Sequence, residues 1–98
     1  VTDYDQKMSE LRARFRERLA GELEDLCRFS AATASPHDLA SLRDKVHRLA
    51  GLSGTMGYPE ISAIAKRLDE ALGGTPEADQ IDQLTATLSD AIRSVVER

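Results

Sequence analysis

The sequence predicts an all-α fold, an antiparallel four-helix bundle, on three observations. Apolar residues recur at steps of three and four in four separate stretches, no stretch alternates as a strand would, and proline and glycine signals divide the stretches. Composition agrees, since Ala and Leu with Glu, Asp and Arg dominate and tryptophan is absent. At 98 residues the chain reads as one domain over residues 1–98, long enough to bury a modest core.

The first helix carries Tyr4, Met8, Leu11, Phe15, Leu19, Leu23 and Leu26 on one stripe. Thr2 or Asp3 is its expected cap, and Ala-Thr-Ala-Ser-Pro should end it near Ala32. Ser35-Pro36-His37-Asp38 reads as the next start: a serine oxygen for the orphan amides, proline at the first helical position and an acid in the first turn. Its stripe is Leu39, Leu42, Val46, Leu49, Ser53 and Met56, with Gly57 at or near the stop. Pro59 and Glu60 open a third, shorter helix with Ile61, Ile64, Ala65, Leu68 and Leu72 inward, closed by Gly73-Gly74. Thr75-Pro76-Glu77 repeats the start signature, and Ile81, Leu84, Leu88, Ile92 and Val95 form the fourth stripe. Four amphipathic helices on short loops bury their stripes by packing against one another.

Charge and composition exclude several classes of function. Acidic residues outnumber basic ones, 17 to 13, and the basic ones are scattered, so a nucleic-acid partner is not expected. No apolar run approaches the roughly 20 residues of a membrane span, and the first residues lack the apolar core of a signal peptide. The single Cys27 has no disulfide partner, which fits a reducing, cytoplasmic setting. Neither His37 nor His47 has a second ligand at the spacing of a helical metal site, and no nucleophile elbow is present.

His47 is the candidate residue. On a wheel at about 100° per residue it falls beside the core stripe of the second helix, on a face shared with Ala40, Arg43, Asp44, Ala50, Gly51 and Gly54. Two glycines inside a helix cost about 2 kcal/mol against alanine. Either they let a neighbouring helix approach, or they leave the imidazole clear for a second macromolecule. Their place on the histidine's side of the wheel favours clearance.

The run His47-Arg48-Leu49-Ala50-Gly51, followed by Gly57, Ile61, Ile64-Ala65 and Leu68-Asp69, resembles the signature of histidine-containing phosphotransfer (HPt) domains. Those positions are a minority of the chain, while the four-helix plan of that family fits all of it. The resemblance implies that His47 accepts a phosphoryl group from a receiver-domain phospho-aspartate and passes it to another receiver. It implies no cofactor on this chain and a magnesium ion on the partner. Expected partners are response-regulator receivers and a hybrid histidine kinase, met by a monomer through Ala40, Arg43, Asp44, Arg48, Ala50 and Gly54. No glycine-rich nucleotide loop is present, so self-phosphorylation from ATP is not expected. Gly51 would give the phosphoryl group room.

The family's usual lysine three residues after the histidine is replaced by Ala50. Arg43 shares the face, but a helical side chain tilts toward the N-terminus and so away from His47. Lys66 is the preferred replacement cation. Asp69, where the family often has Glu or Gln, is expected to orient the ring by a hydrogen bond. The rival reading is a helical module that docks on a receiver or kinase without accepting phosphate.

Overall fold

The computed structural model describes residues 3–98, and the described residues form four α-helices with no strand. These are α1 (Asp3–Arg28), α2 (Pro36–Thr55), α3 (Pro59–Leu72) and α4 (Ala78–Val96). α2 packs against α3, α3 against α4, and α4 against α1. Cross-helix bonds fix the directions. Arg16 donates to the Val95 carbonyl while the Ala31 N–H donates to Asp82, so α1 and α4 run antiparallel. In the same way Ser62 pairs with Ala50 and Asp69 with Arg43, which sets α3 antiparallel to α2.

The four stripes meet in one core. Phe15, Leu19, Leu26, Leu42, Val46, Leu49, Ile61, Ile64, Leu68, Ile81, Leu88, Ile92 and Val95 are all buried. Each comes from a position at helical spacing, so the periodicity alone decided which face turns inward. α1 and α2 lie farther apart, and Lys45 spans the gap to Asp25 at 2.9 Å and Glu22 at 3.3 Å.

Three local expectations are corrected. α1 ends at Arg28, short of Ala32, because Phe29 packs against the core and the Ala31 N–H, two residues on, is taken by Asp82 Oδ1 at 2.9 Å. The start of its stripe is also not core: Tyr4 is 69% and Leu11 44% exposed. Arg12 already lies over Gly57 in the α2–α3 turn, and Arg16 reaches the last turn of α4, so residues before Arg12 run past the end of the bundle. Asp3 is itself helical, and the other candidate cap, Thr2, lies outside the described residues.

α4 begins at Ala78 with Glu77 in the cap position, extended and making no side-chain cap bond. Thr75 and Pro76 therefore lie outside the helix. Residues 75–77 serve instead as the connection from the end of α3 to the start of α4.

The turn from α2 to α3 fixes the register of the two helices. Gly57 adopts φ +89°, which favours glycine, and the Tyr58 and Gly57 amides donate back to Ser53 and Gly54 in a Schellman motif. Tyr58 then stacks on Phe15 with ring centres 5.9 Å apart, tying the turn to α1. At the other end of α2 the Ser35 hydroxyl accepts from Asp38 N–H at 3.0 Å and the Asp38 carboxylate from Ser35 N–H at 2.9 Å, a reciprocal cap.

Candidate functional site

Val46 and Leu49 pin α2 to the core, and this places His47 on the outer edge of the α2–α3 pair with 76% of its side chain in water. Its Nδ1 lies 2.9 Å from Asp69 Oδ2 on α3. The register explains the meeting. Ala50 lies opposite Ser62 and Arg43 opposite Asp69, so His47 stands one turn from Asp69 along the pair. Helical side chains lean toward their own N-terminus, and on antiparallel helices those leans converge. Ser62 Oγ donates to the Ala50 carbonyl at 2.6 Å and holds the two backbones at this offset.

The second oxygen of Asp69 is also occupied. Arg43 Nε donates to Oδ1 at 3.3 Å, so one carboxylate joins an imidazole and a guanidinium. Arg43 does tilt away from His47, and that tilt carries it over Asp69 and onto Gly73. Expecting it to be out of reach overlooked that the histidine's partner lies in its path. Lys66 is exposed and makes no hydrogen bond or ion pair with a described residue.

The His47 hydrogen bond, with help from Arg43, holds the Asp69 carboxyl below the usual carboxylate range against the opposing effect of burial. An ionised carboxylate can only accept, so Nδ1 carries the hydrogen. In the neutral ring the lone pair is then on Nε2. The arrangement presents a fixed, uncluttered nitrogen nucleophile backed by a negative charge.

The two glycines near His47 divide the two explanations between them. A β-carbon on Gly51 would meet nothing within 4 Å, so this glycine leaves open space. One on Gly54 would come within 3.3 Å of Ser62 Oγ, so this glycine lets α3 approach. Ala40, Asp44 and Arg48 are exposed around the histidine, and the Arg48 Nε donates to the Asp44 carbonyl at 3.3 Å. Ala50 is half-buried against the core and bonded through its carbonyl to Ser62, deeper than a wheel of one isolated helix indicates.

Gly73 went unnoticed in the sequence beyond its role as a helix stop. A β-carbon there would lie 2.6 Å from Arg43 Nη2, so the guanidinium rests where a side chain would be. Only the α2–α3 register links positions 43, 69 and 73. Among the described residues there is no cluster of three or more His, Cys, Asp or Glu able to hold a metal ion, and no helix is long and apolar enough to cross a membrane.

Compared with curated proteins and with solved structures, the chain matches none. A protein-family model does match: that of the Hpt domain, over residues 10–97, which takes in all of α2, α3 and α4 and most of α1. Four helices presenting a histidine backed by a carboxylate, within a family match of that extent, place this chain in the Hpt domain family, whose members carry out histidine phosphotransfer in phosphorelays and interact with receiver domains.

Proposed function

We propose that His47 is the phosphoacceptor of a cytoplasmic phosphorelay, taking the group from a receiver-domain phospho-aspartate and returning it to another receiver aspartate. The observation that carries this reading is the 2.9 Å contact of Nδ1 with Asp69 on a ring that is 76% exposed, leaving Nε2 open to an incoming partner.

In the forward step the Nε2 lone pair forms a bond to phosphorus as the bond from phosphorus to the aspartyl oxygen breaks. The aspartate leaves as a carboxylate. The ring becomes an N-phosphorylated imidazolium, and its new positive charge lies against Asp69, which is already oriented to receive it. Phosphoryl transfer of this kind depends on alignment and charge neutralisation more than on a strong base. In this reading the receiver supplies the magnesium ion, and this chain supplies the nucleophile, its orientation and the clear space at Gly51. Ala40, Asp44, Arg48 and Gly54 are exposed on α2 and form the nearest part of the receiver-docking face, with Ala50 half-buried beneath it and Arg43 turned toward Asp69 and Gly73.

The test is transfer from a magnesium-loaded, phosphorylated receiver. Acid-labile label should appear on the wild-type chain and not on His47→Gln, and label that survives the substitution overturns the assignment. A second reading is favoured by Ala50, which puts no cation one turn beyond the histidine: the chain docks on receivers or a kinase without accepting phosphate. Receiver binding without any label on the wild type would support that reading instead.

A further inference from the structure

We propose that Arg43 is a positioning residue for His47, gripping Asp69 from a seat on Gly73 and thereby fixing the carboxylate that fixes the ring. This rests on the reading of His47 as the phosphoacceptor.

Three observations carry it. The two oxygens of Asp69 are divided, Oδ2 to His47 Nδ1 at 2.9 Å and Oδ1 to Arg43 Nε at 3.3 Å. A carboxylate held at one oxygen can rotate about its last torsion, whereas one held at both has its plane set. The guanidinium is itself seated: Nη2 and Cζ lie 2.6 and 3.1 Å from the place a Gly73 β-carbon would occupy. Finally, Gly73 has φ −77° and ψ −12°, a conformation open to any residue, so its backbone does not call for glycine. What the missing side chain provides is room for Arg43.

Among the described residues no other group bonds to Asp69 in competition with Arg43 and His47. Of the charged groups on the two helices that flank the ring, Arg43, Asp44 and Arg48 on α2 and Lys66, Asp69 and Glu70 on α3, only Asp69 is bonded to His47 and only Arg43 shares Asp69. The chain of contacts therefore runs from Gly73 through Arg43 and Asp69 to the histidine. The residue at position 73, just past the end of α3, thereby sets how firmly the carboxylate holds the Nδ1–H tautomer.

Gly73→Ala is the sharpest test, because it alters neither charge nor any of the three bonded side chains. The backbone accepts alanine, and the clash falls on the end of a flexible side chain, so the variant folds and Arg43 is displaced. Nitrogen NMR of His47 in mildly alkaline buffer should show the Nδ1–H tautomer in the wild type and a mixture in Gly73→Ala and in Arg43→Gln. Transfer from a phosphorylated receiver should slow about threefold in both. Combined with Asp69→Asn, neither substitution should slow transfer further, since their effect passes through that carboxylate.

A wild-type tautomer in both variants overturns the proposal, as does equal slowing in the Asp69→Asn background, which would place Arg43 or Gly73 in direct contact with the receiver. The tautomer is read without any phosphoryl transfer. A tautomer that responds in a protein that cannot be labelled would sink the phosphoacceptor reading and leave the positioning intact.

Discussion

Asp69→Asn keeps the shape of the side chain and removes its charge. In the wild-type protein the two carboxylate oxygens serve two donors, His47 at 2.9 Å and Arg43 at 3.3 Å. The amide offers one acceptor oxygen, so one bond is lost and the other no longer joins a donor to a negative charge. Asp69 keeps 19% of its side-chain surface while His47 keeps 76%, so water screens much of the attraction and the loss is about 1 kcal/mol. Applied to the charge that builds on the ring during transfer, this is about a fivefold slower rate.

Stability carries a second signature of the same carboxylate. A folded-state pKa held below its unfolded value contributes stability that is fully present above the unfolded value, about 3.9, and is lost as pH falls through the folded one. Urea unfolding should therefore place the wild type about 1 kcal/mol above Asp69→Asn at neutral pH. That gap should stay level down to about pH 4 and close below it. An unchanged transfer rate, or a stability gap that persists in acid, would refute the reasoning. A loss beyond a hundredfold would refute it from the other side, by making Asp69 essential to the step instead of an aid to orientation.

Other consequences can be checked on the same preparations. Gly51→Ala should raise the unfolding free energy measured in urea by up to about 1 kcal/mol, because the new methyl meets nothing and the helix gains propensity. Gly57→Ala should lower it by about 1–2 kcal/mol, because φ +89° suits glycine alone. Leu68→Ala, at a position with no exposed surface, should cost about 3 kcal/mol in the same assay. Lys45→Met should cost about 1 kcal/mol, leaving a buried Glu22 oxygen without its cation. Burial pushes the Lys45 ammonium down, but Asp25 and Glu22 together raise it. A raised value gives stability that is present below the unfolded lysine value, about 10.4, and fades as pH rises through the folded one.

The helices and the inward faces were readable because helical period and burial are the same physical requirement. His47 was readable because a wheel needs only its own helix. What the wheel could not supply was the neighbour. Gly54 and Ala50 looked like open surface until α3 was laid against them. The tilt of Arg43 away from His47 is legible in its own helix, whereas Asp69 lying in the path of that tilt is a property of the packed pair. The overhang of α1 had the same origin, since Tyr4 and Leu11 sit on a faultless stripe and no local signal reports that α4 ends before reaching them. Thr75-Pro76 has every mark of a helix start, yet α4 begins at Ala78 and those residues lie in the connection from α3.

In the role proposed for His47, the exposure that would let a receiver reach the ring would also leave a phosphoryl group on it in contact with water. Water reaches 76% of the His47 side chain, and a β-carbon on Gly51 would meet nothing within 4 Å. In that role a stored group would face two fates, hand-over and hydrolysis, with little of the described chain between the ring and water. Its lifetime follows from the chemistry of the phosphorus–nitrogen bond. Fidelity of the relay therefore becomes a contest of rates, decided by how often a receiver of the right shape arrives before water reacts.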